Sequence, residues 1–114
     1  MPTLAIIIVS WNTRELLDRA ISTAHASLAG ADIPYRIIVV DNDSRDGTPA
    51  MLRATHPEVE LIESGANLGF AGGNNLALRR VLSSDFSLST NHDTANAELT
   101  THHSPLDYVL LLNP

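Results

Sequence analysis

The sequence predicts an α/β domain built on an open, mostly parallel sheet with helices on both faces. Three observations predict it. The apolar runs Leu4–Val9, Ile37–Val40 and Tyr108–Leu112 show no alternation, so they read as strands buried on both faces, as in a parallel sheet. Segments of helical period stand between the strands, in the order β-α-β-α-β-α-β, which calls for right-handed crossovers. The polar, turn-rich loops all follow strands. In a parallel sheet they therefore share one edge.

The first strand is bounded by Pro2 and by Ser10-Trp11-Asn12. Leu16, Leu17, Ala20, Ile21, Ala24 and Leu28 then recur at helical spacing. Asn12 or Thr13 can cap this helix, Glu15 follows Asn12 by three residues as in a capping box, and Gly30 stops it. After strand two, Asp41 to Gly47 form a turn-rich loop. Thr48-Pro49 reads as an N-cap with proline at the first helical position, opening a short helix to about Ala54. Val59–Ile62 alternates, which predicts a half-exposed third strand. A loop from Ser64 to Asn67 leads into a helix from about Gly69 to Leu82. Residues 83–106 are polar and without period, so they read as a long loop or insertion, expected to be the most mobile segment. Tyr108–Leu112 is expected to be a fourth buried strand. The chain stops at Asn113-Pro114, directly after it, so residues 1–114 are expected to be the N-terminal part of a longer domain.

Composition narrows the function. With 114 residues the chain makes one domain, and with 44% hydrophobic but 4% aromatic residues its core must be aliphatic. No apolar run reaches the length of a membrane-spanning helix, and no basic segment precedes the first apolar run as in a signal peptide. Cysteine is absent, which excludes disulfides, thiolate metal sites and thiol nucleophiles. Lysine is absent too, which excludes the P-loop lysine and Schiff-base chemistry. A net charge of -6 argues against nucleic acid as a partner. An acidic protein that binds phosphate must use backbone N–H groups, a few arginines or a metal ion.

Ligands of open α/β sheets bind along the carboxyl edge of the strands, where strand order reverses. The loops after strands one, two and four would form that crevice. Asp41 directly ends strand two and can accept a hydrogen bond from a base or a ribose. Asp43 is a second candidate, although it and Asp46 also fit turn chemistry, and Asp46 can cap the following helix. The glycines of Asn67-Leu-Gly-Phe-Ala-Gly-Gly-Asn-Asn75 open a helix start to a ligand, or equally make a flexible start with asparagine caps. Ala71, Asn75, Leu78 and Leu82 share one helix face, which places Asn75 on the core-facing stripe. Trp11 can wall a ligand or line the first helix. His102-His103 lack a suitably placed third ligand and read as solvated, as do Arg14, Arg19, Arg79 and Arg80. Arg45 could reach a phosphate.

Four segments together, Ile8-Val-Ser-Trp-Asn12, Val39 to Thr48, Asn67 to Asn75 and Tyr108 to Pro114, resemble the nucleotide-binding half of the family 2 glycosyltransferases of the GT-A fold. The resemblance covers residues 4–82 and 107–114. Its Asn67–Asn75 segment is most similar to the rhamnosyltransferase-type branch. It implies a Rossmann-like, truncated sheet in strand order 3-2-1-4. It also implies transfer of a sugar from a UDP- or dTDP-linked donor to the hydroxyl of a glycan or lipid-linked acceptor. Donor-binding residues are then expected at Val9, Ser10, Asn12, Asp41, Asp43, Asn67, Gly69, Gly72 and Asn75, with Asp41 accepting from the pyrimidine. Mg²⁺ or Mn²⁺ is expected in the full-length protein at a D-x-D-like motif around Asn113. The carboxylate of that motif and the catalytic base would lie outside this chain, which alone would be inactive. Self-association through an exposed sheet edge, and a location in the cytoplasm or at the inner face of the membrane, complete the expectations. A non-catalytic nucleotide-binding or regulatory module, or a plain interaction domain, is the alternative.

Overall fold

The computed structural model describes residues 3–85 and 106–114. The elements run β1 (Thr3–Ser10), α1 (Arg14–Leu28), β2 (Tyr35–Asp41), α2 (Thr48–Thr55), β3 (Glu60–Glu63), α3 (Gly69–Asp85) and β4 (Leu106–Leu112). All strand pairs are parallel and the sheet order is β3-β2-β1-β4. Residues 86–105, with His102-His103 and most of the expected insertion, lie outside the described residues.

The β-branched runs make two cores because successive strand side chains point to opposite faces. Ala5, Ile7 and Val9 of β1 join Ile38, Val40 and Ile62 beneath Ala77 and Val81 of α3. Ile6, Ile8, Ile37 and Val39 face the other way, against Leu17 and Ile21 of α1 and Leu52 of α2. Arg36 ties β2 to β3 with a bidentate pair to Glu60, at 2.9 and 2.7 Å. That pair holds the Glu60 carboxyl below its usual value, against the opposing effect of burial.

Four local expectations need correction. First, β4 pairs with β1 at the sheet edge, as the expected order 3-2-1-4 has it, but its faces are not buried: Tyr108, Val109, Leu110 and Leu111 are 40–63% exposed. An unalternating apolar run does not by itself say that both faces of a strand are covered. Second, the capping box at Asn12 does not form. Thr13 takes the N-cap position without a side-chain cap, and Asn12, at φ 53°, turns its Oδ1 to the Arg45 N–H at 2.8 Å. The Arg14 N–H instead donates to Asp46 Oδ2, 3.0 Å away. Third, the N-cap of α2 is Gly47 rather than Thr48, whose N–H and hydroxyl both donate to Asp46 Oδ1. One aspartate therefore caps two helices. Fourth, α3 presents Gly73, Asn74, Ala77 and Val81 to the sheet, while Asn75 and Ala71 are exposed and Leu82 is 44% exposed. The reason is close approach: a Cβ on Gly73 would lie 2.7 Å from a Val9 methyl, so only glycine lets the helix seat there. The helix also runs three residues past the expected end at Leu82, to Asp85.

Candidate functional site

The site is built where β1 and β2 end side by side. Ser10 and Asp41 are register partners at the last rung of the pair, and both are buried. Beyond them the chains stay bound: the Asn42 N–H donates to the Ser10 carbonyl at 2.8 Å, and the Ser64 N–H to the Asp41 carbonyl at 3.0 Å. Ser10 Oγ lies 2.9 Å from Thr13 Oγ1. The three loops after β1, β2 and β3 thus form one rigid rim.

Asp41 is 2% exposed. Its Oδ2 accepts from the Ser44 N–H at 3.1 Å, while the buried Oδ1 has no protein partner. A buried carboxylate oxygen without a donor is costly. Asp43 is different. It sits at φ 65° in the turn, half exposed, with Arg45 at 3.9 Å. This is the geometry of a turn residue.

A cleft of 340 Å³ opens at this edge. Val9 of β1 walls it, with Trp11 and Thr13 from the loop after β1 and Asn42 from the loop after β2. Asn67, Gly69 and Phe70 close it from the mouth of α3, and Asn113-Pro114 from the end of β4. Gly69, at φ 72°, starts α3 with its N–H held by Asn67 Oδ1 at 3.0 Å. Of the expected site residues the cleft gathers Val9, Asn67, Gly69 and Asn113. Ser10 and Asp41 lie buried behind it, and Asn12 is exposed at a neighbouring hollow with Asp46. Gly72 packs back on Leu68, and Asn75 faces away from the core. Trp11, 52% exposed, walls the cleft rather than the first helix. Another hollow, of 430 Å³ between α1 and β4, is walled chiefly by Leu4, Ile6, Leu16, Ala20, Leu110 and Leu112, with Arg19 also lining it.

Sequence reasoning missed two residues. Asn42 is 1% exposed; its Nδ2 donates to the Gly69 carbonyl at 3.1 Å and its Oδ1 accepts from Ser64 Oγ at 2.9 Å. It pins the start of α3 to the end of β2. Within an Asp-Asn-Asp loop nothing marks the asparagine apart from its neighbours. Asn74, 4% exposed, has neither side-chain amide atom partnered. The apolar period of the helix points instead to its exposed neighbour Asn75.

The cleft offers amide and hydroxyl oxygens but no carboxylate among its described lining residues. Hard divalent cations favour carboxylates, so these residues do not by themselves fit Mg²⁺ or Mn²⁺.

Known proteins match this arrangement. The chain is 32% identical over 79 residues to the succinoglycan biosynthesis protein ExoO of Rhizobium meliloti, covering 68% of this chain and 22% of that protein. It is 36% identical over 67 residues to an N-acetylglucosaminyl-diphospho-decaprenol L-rhamnosyltransferase of Mycobacterium tuberculosis, covering 59% and 21%. Among solved structures it is similar to a mannosyltransferase of Pyrobaculum calidifontis in complex with GDP-Man and Mn²⁺. The TM-score is 0.58 at 30% identity, over 69% of this chain and 24% of that one. The chain thus spans about a fifth of the length of the curated relatives it matches. The sheet order and the mannosyltransferase likeness give a GT-A fold. The family model described as glycosyl transferase family 2 matches residues 5–98, and this chain belongs to that family.

Proposed function

We propose that this chain binds a nucleoside-diphosphate sugar at the carboxyl edge of its sheet, as the donor-binding part of an enzyme that transfers the sugar to an acceptor hydroxyl. The donor is UDP- or dTDP-linked and the acceptor is a glycan or a lipid-linked precursor. One observation carries the reading: Asp41 ends β2 with one carboxylate oxygen fixed by the Ser44 N–H and the other buried without a protein donor. A pyrimidine ring N–H is a donor of the right kind for that oxygen. In the cleft at the same sheet edge, Trp11 and Phe70 give apolar walls suited to a base or a sugar face. Family membership supports the class of reaction. The rhamnosyltransferase and mannosyltransferase relatives support an activated sugar as the donor.

Mg²⁺ or Mn²⁺ belongs to the same proposal, with its carboxylates outside these residues. When bound, such an ion neutralises the leaving diphosphate. The described cleft residues do not supply its ligands. The chain alone then binds nucleotide weakly, without metal dependence, and does not transfer sugar.

Calorimetry of UDP, dTDP and GDP against the chain, with and without Mn²⁺, tests the proposal. The expected result is weak binding of the pyrimidine nucleotides, unchanged by Mn²⁺. A preference for GDP would overturn the base assignment. Tight binding that requires Mn²⁺ would place a metal site within these residues.

A further inference from the structure

At the opposite edge of the sheet, around the amino ends of the strands, three elements converge on a second cluster. His25 lies in the last turn of α1, His56 follows the end of α2, and Glu58 precedes β3. One ligand atom from each falls within 4.8 Å of the others. Glu58 Oε1 lies 2.8 Å from His25 Nε2 and 3.6 Å from His56 Nδ1.

The far side of each ring is also held. His56 Nε2 lies 2.6 Å from Asp18 Oδ1, and His25 Nδ1 lies 2.6 Å from the Tyr35 hydroxyl. Because a carboxylate only accepts, His56 donates from Nε2 to Asp18. Its Nδ1 faces the Glu58 carboxylate at 3.6 Å, too far for a direct hydrogen bond, and a cation between them would engage both. A histidine held by a carboxylate on its far nitrogen is also the arrangement that orients and strengthens metal-ligating imidazoles. Tyr35 suits His25 to the same task, since its hydroxyl can accept from Nδ1–H when Nε2 carries the metal.

We propose that His25, His56 and Glu58 form a binding site for a borderline divalent transition metal of the Zn²⁺ class, locking α1, α2 and β3 together. Two imidazole nitrogens and one carboxylate suit Zn²⁺, with water as the fourth ligand. With metal–ligand bonds near 2.0–2.1 Å, tetrahedral ligand atoms stand roughly 3.3 Å apart, which the two Glu58 spacings of 2.8 and 3.6 Å bracket. The cluster is open to solvent: the His25 and Glu58 side chains are 33% and 50% exposed, while His56 at 9% anchors it.

The test uses protein stripped by a chelator and titrated with Co²⁺ and with Zn²⁺. One Co²⁺ per chain with the visible absorption of a tetrahedral N/O site is expected, together with a Tm rise of several degrees in Zn²⁺. Glu58→Gln and His25→Gln should each weaken Co²⁺ binding at least tenfold with an unchanged circular dichroism spectrum. The paired control His102→Ala/His103→Ala should bind as wild type. Equal Co²⁺ affinity in wild type and Glu58→Gln would overturn the proposal. So would loss of binding in the His102/His103 control, or an octahedral spectrum with no Tm shift.

Discussion

Gly73→Ala separates two effects of opposite sign. In an exposed helix interior, replacing glycine by alanine stabilises by about 0.8–1 kcal/mol. At Gly73 the added Cβ would meet Val9 Cγ1 at 2.7 Å and Cγ2 at 2.9 Å, with Asn42 Nδ2 at 3.4 Å. Carbon atoms prefer about 3.5–4.0 Å, so the shortfall is roughly 1 Å. Val9 cannot swing clear, because it is β-branched and 9% exposed on a central strand. Overpacking of this kind costs about 1–3 kcal/mol. Subtracting the propensity gain leaves a net loss of up to about 2 kcal/mol. At roughly 4 °C per kcal/mol for a domain of this size, Tm should fall by up to about 8 °C. Differential scanning calorimetry measures it. The double variant Val9→Ala/Gly73→Ala should show a favourable coupling of about 1 kcal/mol or more relative to the two single changes. A Tm increase in Gly73→Ala would refute the close seating of α3 on β1, and with it the explanation for the helix face.

Three further outcomes follow from the same geometry. Asp46→Ala removes the acceptor for two helix starts and should cost about 2 kcal/mol in urea unfolding, at about 1 kcal/mol per cap. Burial raises the Asp46 carboxyl, but the hydrogen bonds from Thr48 and Arg14 outweigh it and hold the group below its ordinary value. Its contribution is therefore complete above about pH 4 and is lost as pH falls through the folded value, so Asp46→Asn should show a shallower acid-side slope than wild type. Asn42→Ala leaves the Gly69 carbonyl without its donor and should cost about 1–3 kcal/mol, with increased hydrogen exchange at the start of α3 as the readout. The exposed apolar residues of β4 should drive self-association, so analytical ultracentrifugation should show a concentration-dependent dimer that Leu111→Glu abolishes.

Much of the scaffold is legible in the sequence because β1 and β2 are uninterrupted β-branched runs. A strand buried on both faces leaves no other pattern, and the alternating β3 is half exposed for the same reason. What the sequence hides is set by distant partners. The cap of α1 is Asp46, 32 residues away, so a local search for a capping box finds Glu15 instead. The face of α3 is chosen by the missing side chain of Gly73 against Val9, and the apolar period alone selects the neighbouring stripe with Asn75. β4 carries the same apolar run as β1, yet its place at the end of the order leaves it exposed. In the site, Asp41 stands out by ending a buried strand. Asn42 is masked because an Asp-Asn-Asp loop needs no further explanation than turn chemistry.

The central claim is that Asp41 receives a donor from the bound nucleotide. The most direct measurement is calorimetry of uridine and thymidine diphosphates against wild type, Asp41→Asn and Asp43→Ala. Asp41→Asn keeps an acceptor oxygen for Ser44 but removes the charge from the unpartnered side. A hydrogen bond to a charged acceptor contributes about 1.5–3 kcal/mol, so Asp41→Asn should bind roughly tenfold to a hundredfold more weakly. Asp43→Ala should bind nearly as wild type, since that side chain belongs to the turn. Equal affinities for wild type and Asp41→Asn would contradict the account.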